Sequence, residues 1–185
     1  MTELWKIIKG DAKESLSAIE CESVDCCVTS PPYFMLRDYG YDGQIGLEST
    51  VEEYVSRLVD VFSSVRDVLK DDGTLWVNIG DRYNASKSGN RDGFSRKQSS
   101  NRGSLSNVYT KRVIGECKPK DLIGIPWMLA FALREDGWYL RNDIIWPKPN
   151  PMVESITDRC TKSHEHIFLF SKSSRYYFDL EAIKE

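Results

Sequence analysis

The stretch Val24-Asp25-Cys26-Cys27-Val28-Thr29-Ser30-Pro31-Pro32-Tyr33-Phe34 decides the fold. Residues 24–28 read as a short strand, bounded by polar residues and rich in small side chains that bury easily. Two consecutive prolines then stop any ladder, because neither donates a backbone hydrogen bond and each fixes φ. Polar carbonyls and an aromatic ring are thereby held rigidly at a strand end. That is where an open α/β sheet presents its ligand crevice. Such an arrangement suits gripping a flat ring that carries an amino group.

Upstream, Leu4 to Lys9 reads as a first strand closed by Gly10-Asp11, and a short helix over Ala12 to Ile19 leads into the strand before the prolines. Downstream, Gly40, Gly43 and Gly46 lack the G-x-G-x-x-G spacing and a preceding strand. They read as a loop beside the site rather than a phosphate cradle. Thr50-Val51-Glu52-Glu53 fits a capping box. Val51, Tyr54, Val55, Leu58, Phe62, Val65 and Leu69 then recur on one helical face. Gly73 is expected to end that helix in a left-handed conformation, and residues 74–79 form the next strand, ending at Gly80-Asp81. A second helix runs from Ile125 to Arg134, with Pro126 at its first turn and Gly137 closing it. Tyr139 to Trp146 and His166 to Ser171 are two further strands, joined through a Pro-rich connection that begins at Pro147. Strand–helix alternation followed by a terminal strand pair predicts an α/β fold with a mixed sheet.

Between Arg82 and Lys120 the composition turns to Ser, Asn, Gly, Arg and Lys, with Asp92 and Glu116 the only acids. A stretch of that length without apolar periodicity is either a flexible insertion or a functional arm. In the second reading it lies along phosphates, with Tyr83, Phe94 and Tyr109 available for stacking.

The 185 residues have room for one domain with a real core. A net charge of −3 argues against a uniformly basic nucleic-acid binder and leaves the basic middle segment as the local exception. The first residues lack a signal-peptide core, and no apolar run approaches a membrane span. The expectation is therefore a cytoplasmic protein without membrane contact. The five cysteines contain no C-x-x-C, so reduced structural thiols are expected and no metal site.

Residues 29–34 resemble the Ser-Pro-Pro-Tyr signature of site-specific DNA amino-methyltransferases, which methylate the exocyclic nitrogen of cytosine or adenine. Further segments are similar to the same family in the order where the signature precedes the cofactor glycine motif. These are Lys9 to Ala12, Gly46-Leu47-Glu48 with Glu53-Tyr54, Gly73 to Asp81, Gly137 to Asp143, Lys148 to Met152, and His164-Glu165 with the strand after it. The resemblance implies a partial Rossmann-like, S-adenosylmethionine-dependent methyltransferase fold, over residues 1–185 with the basic insertion at about 82–120. It implies a catalytic set of Ser30, Pro31, Pro32 and Tyr33. The Ser30 side chain and the Pro31 carbonyl would accept the amino hydrogens, and Tyr33 would stack on an extruded base. Such a stack contributes roughly 1–3 kcal/mol, against the few kcal/mol of unstacking.

Asp11 and Thr29 would serve the cofactor. Arg82, Arg91, Arg96, Lys97, Arg102, Lys111, Arg112, Lys148 and Asn150 would face DNA. No Pro-Cys dipeptide is present, so the covalent cysteine route of ring-carbon methylation is not expected. The family's Phe-x-Gly-x-Gly loop would stand beyond Glu185. The resemblance therefore implies a second chain or a homo-oligomeric partner that supplies it, and a sheet with an open edge beside the signature strand. Serine at the first signature position favours N4 of cytosine over N6 of adenine. Two other readings stand beside these: a non-catalytic DNA-binding subunit, and methylation of a protein glutamine amide, whose enzymes place the glycine loop upstream.

Overall fold

The computed structural model describes residues 5–84 and 117–184. Four strands form one mixed sheet. They are β1 (Val24–Thr29), β2 (Leu69–Ile79), β3 (Tyr139–Pro147) and β4 (His164–Ser171), with α1 (Ala12–Leu16) before β1, α2 (Val51–Val68) between β1 and β2, and α3 (Ile125–Glu135) between β2 and β3. A 3₁₀ turn over Glu181–Ile183 follows. The sheet order is β1-β2-β4-β3. β1 runs parallel to β2 with Thr29 opposite Val77. β4 is antiparallel to β2, with Ile79 opposite His166, and β3 is antiparallel to β4, with Trp146 opposite Glu165. This register brings the ends of β1, β2 and β3 and the beginning of β4 to one edge of the sheet. The expected α/β class with a terminal antiparallel pair is what forms.

α2 shows why the core sits where it does. The Thr50 hydroxyl accepts from the Glu53 amide and caps the helix, while the Glu53 carboxylate accepts from the Ser49 amide. The stripe of Val51, Tyr54, Val55, Leu58, Phe62 and Val65 is buried along its whole length. It packs with Ile125, Leu129, Ala130 and Leu133 of α3 and with Leu75, Val77, Ile79, Phe168 and Phe170 of the sheet. Each large apolar side chain removed from water here contributes roughly 1.5–3 kcal/mol.

Three sequence expectations are corrected. Residues 5–9 form no strand, and Trp5, Ile7 and Ile8 are exposed. A strand exists only by pairing, and β1 pairs with β2 alone, so nothing adjoins the apolar run. The first helix ends at Leu16 rather than near Ile19. Gly73 does not cap α2. The helix ends at Val68, and Leu69 turns directly into β2 with φ −72° and ψ 141°. Gly73 lies instead where β2 bulges against β1, since Val24 pairs with Leu69 but Cys26 with Thr74. A Cβ there would fall 2.9 Å from the Lys70 carbonyl oxygen, so glycine is required by close approach rather than by a left-handed φ. Gly137 does close α3 as expected, with φ 102°.

Candidate active site

The signature begins where β1 ends. Pro31 is buried, and Phe34 and Met35 beyond Tyr33 are buried too, so the proline turn is anchored at both ends. The Tyr54 hydroxyl, reaching from the first turn of α2, donates to the Pro32 carbonyl at 2.8 Å. Burial pushes the Tyr54 hydroxyl far above its ordinary value, with the Glu48 and Tyr33 charges adding to it, so it remains a protonated donor. The Pro31 carbonyl accepts no hydrogen bond from the described residues. Of the two proline carbonyls, one is fixed structurally and the other is left open.

The next loop holds the turn from behind. Met35 donates its amide to the Gly46 carbonyl at 2.7 Å. Gly46 has φ 106°, and a Cβ there would lie 3.1 Å from the Tyr33 carbonyl oxygen. The Glu48 carboxylate, 1% exposed, accepts from the Gly46 amide at 2.8 Å and from Arg57 at 2.7 Å. Arg57 also donates to the Gln44 and Gly43 carbonyls. The three glycines thus belong to a loop beside the signature, and Gly46 is its wedge.

Tyr33 is oriented from the other side. Its ring lies against Gly80, where a Cβ would come within 2.6 Å of Cε2. Its hydroxyl is 3.0 Å from Asn78 Oδ1 and 3.1 Å from Glu165 Oε2, so one proton serves two acceptors. The Ser30 hydroxyl lies 3.4 Å from Asn78 Oδ1 and 3.5 Å from the Tyr33 oxygen. Lys148 pairs with Glu165 at 3.2 Å and sits 3.2 Å over the Trp146 ring. Burial pushes Glu165 upward, but Lys148 and the neighbouring hydrogen bonds outweigh it and hold the carboxyl below the usual range. Burial raises the Tyr33 hydroxyl. A cavity of about 290 Å³ opens onto this cluster, lined by residues 30–33 with Leu36, Arg37 and Tyr39.

The other expected site residues are placed as follows. Asp11 is exposed and caps α1, its Oδ1 accepting from the amides of Lys13 and Glu14. Thr29 is half-buried at the end of β1. Asp11 Oδ2 accepts no hydrogen bond from the described residues, and neither Asp11 nor Thr29 lines the cavity at the signature. Arg82 is turned inward rather than toward phosphate. It donates to the Phe34 and Met35 carbonyls at 3.3 and 3.1 Å, and burial lowers its pKa. Lys148 is committed to Glu165, and Asn150 is exposed in the β3–β4 connection. Arg91, Arg96, Lys97, Arg102, Lys111 and Arg112 lie outside the described residues, as do Phe94 and Tyr109. Tyr83 faces Leu122 in an antiparallel bridge, and its ring carries the Arg159 guanidinium at 3.8 Å.

The five cysteines are free thiols. Among the described residues no group of three His, Cys, Asp or Glu could hold a metal ion, and no helix is long and apolar enough to cross a membrane.

Sequence reasoning missed Asn78, Glu165 and the Tyr54 donor as parts of the site. Asn78 had a signal of its own, an amide inside the otherwise apolar run Leu75-Trp76-Val77-Asn78-Ile79. Tyr54 had none, because its ring belongs to the core stripe and only its hydroxyl reaches the signature.

A proline-stiffened turn with an open carbonyl thus stands at the carboxyl edge of a mixed α/β sheet. The family model described as DNA methylase, for N6 and N4 positions, matches residues 24–185, and the chain belongs to that family. It is 55% identical over 180 residues to the Type II methyltransferase M.SmaI of Serratia marcescens, covering 97% of this chain and 60% of that protein. It is also 55% identical over 179 residues to M.Cfr9I of Citrobacter freundii, covering 97% of this chain and 58% of that protein. Among solved structures, the cytosine-N4-specific PvuII DNA methyltransferase matches with a TM-score of 0.61 and 19% identity, over 95% of this chain and 53% of that one. The chain therefore spans little more than half the length of these three proteins.

Proposed function

We propose that this chain carries the target-base site of an S-adenosylmethionine-dependent DNA methyltransferase that modifies an exocyclic amino group, with N4 of cytosine favoured over N6 of adenine. The observation that carries the reading is the division of labour at the signature. Tyr54 occupies the Pro32 carbonyl, while the Pro31 carbonyl and the Ser30 lone pairs are left for a ligand. The amine of a nucleobase is a poor nucleophile because its lone pair is delocalised into the ring. Acceptors fixed in advance draw on its two hydrogens, favour the pyramidal form and localise the lone pair without reorganisation. S-adenosylmethionine, when bound, supplies a methyl group on a sulfonium centre. Tyr33, held by Asn78, Glu165 and Gly80, offers an oriented ring against which an extruded base can rest.

The test is incubation of the chain with S-adenosylmethionine and DNA, followed by mass spectrometry of the digested nucleosides. N4-methylcytosine is the expected product, and N6-methyladenine as the sole product would reverse the choice of base.

A second reading rests on β1, which among the described residues pairs only with β2 and has Val28 77% exposed. In that reading another polypeptide, or a second copy, adds strands at this edge and completes the cofactor side. The chain alone would then bind DNA in a salt-sensitive way without methyl transfer. Micromolar binding of S-adenosylmethionine by the isolated chain would defeat it.

A further inference from the structure

The cavity at the signature has two walls of different origin. One is the rigid turn itself. The other is Leu36, Arg37 and Tyr39, from the loop that follows it. That second wall is built rather than loose. Gln44 Nε2 donates to the Arg37 carbonyl at 3.0 Å, and Gln44 Oε1 accepts from the Tyr39 amide at 2.7 Å. Arg57, itself paired with Glu48, holds the Gln44 carbonyl at 3.0 Å. The Arg37 backbone is thus fixed beside the cavity. Its guanidinium, by contrast, has no hydrogen-bond or ion-pair partner among the described residues. Arg57, Arg82 and Arg159 all bond oxygen atoms of the chain. Arg37 thus puts an uncommitted two-pronged donor on the wall of the cavity, on a backbone held in place.

The ligand's edge says what the donor is for. Beyond its amino group, cytosine presents the ring N3 and then O2, two adjacent acceptors. Adenine presents N1 and then a C2–H, a single acceptor beside a hydrogen. Parallel N–H groups of a guanidinium match the first pattern in full and the second in half. With the amino hydrogens on Ser30 Oγ and the Pro31 carbonyl, the rest of the same edge is left for the other lining residues. We infer that Arg37 selects cytosine over adenine in this pocket, by donating to the N3 and O2 edge of the base that the signature holds by its amine. The inference rests on the target-base reading above. A site built to donate to O2 leaves a donor unpaired when adenine enters, and that mismatch discriminates more strongly than shape alone.

Nucleosides without phosphate separate this role from a backbone contact. The 185-residue chain is titrated with 2′-deoxycytidine and with 2′-deoxyadenosine, followed by NMR shifts of residues 30–39, for wild type, Arg37→Gln, Arg37→Lys and Ser30→Ala. Arg37 is exposed, so its variants are expected to fold, and their amide spectra check this. Wild type is expected to prefer deoxycytidine roughly tenfold or more. Arg37→Gln should abolish the preference by weakening deoxycytidine alone, and Arg37→Lys should restore part of it. If Arg37→Gln keeps the preference while Ser30→Ala loses deoxycytidine binding, the base site stands and the role of Arg37 falls. Indifference of binding to both substitutions would overturn the target-base reading as well. So would the absence of any nucleoside-dependent shift at these residues.

Discussion

Ser30 and Tyr33 stand three residues apart on one rigid turn, yet the chain ties them very differently. Tyr33 is held by two good acceptors and a glycine beneath its ring. Ser30 has only contacts of 3.4 and 3.5 Å, so its oxygen is the less committed of the two. Ser30→Ala should therefore leave the fold intact and lower methyl incorporation into DNA by about 10²-fold, the scale for losing one preorganised polar contact to a reacting group. Incorporation of labelled methyl groups, read beside an unchanged thermal melt, checks both halves. Glu165 makes a separate prediction. Its folded pKa is depressed, so its contribution to stability is fully present above the unfolded value of about 4.3. It is lost as pH falls through the lower, folded value. Wild type should melt above Glu165→Gln at neutral pH, and the gap should close as the buffer is taken below about pH 4.

At the scale of elements, α3 begins without a cap of its own. Its N-cap is Gly124, with φ 84° and no side chain to offer. Asp81, at the end of β2, fills the gap from far away in sequence. Its carboxylate accepts from the Gly124 amide at 3.0 Å and from the Ile125 amide at 3.1 Å, at the positive end of the helix. Asp81→Ala should cost about 1–2 kcal/mol in urea unfolding, as a lost N-cap does, with Asp81→Asn between it and wild type.

This cap also shows what the sequence could and could not convey. The capping box and stripe of α2 are local signals, and every residue of the buried stripe was legible from Val51 to Val65. The signature turn was legible for the same reason, since proline fixes its own geometry. The Asp81 cap, the Gly73 bulge, the inward turn of Arg82 and the anchoring of Tyr33 by Glu165 all depend on which distant segments meet. Local pattern carries no record of that. The apolar run at residues 5–9 misled in the opposite sense, because β-like composition becomes a strand only where a neighbour accepts it.

For the molecule as a whole, the sheet among the described residues ends on β1 at one edge and on β3 at the other. The line of β1 carries exposed Val28, and the unpaired segment before it exposes Trp5 and Ile7. An apolar edge strand left open invites pairing with another chain. The isolated chain is expected to associate as its concentration rises, and Val28→Lys should suppress that association. Sedimentation velocity over a concentration series reads the outcome, and no change in association with the charged variant would count against β1 as the contact.

Another boundary of the molecule is built quite differently. Residues 82–84 run against 121–123, with Asn84 and Ile123 donating to the Asp121 and Arg82 carbonyls at 2.8 and 3.0 Å. The segments on either side of residues 85–116 are thus joined directly, with the Asn84 side chain also donating to the Cys117 carbonyl at 2.6 Å. The same short pairing bears on the signature, because Arg82 within it donates to the Phe34 and Met35 carbonyls just beyond the Ser30 turn. Loosening this pairing would therefore be felt at the catalytic turn, even though none of its residues lines the cavity there.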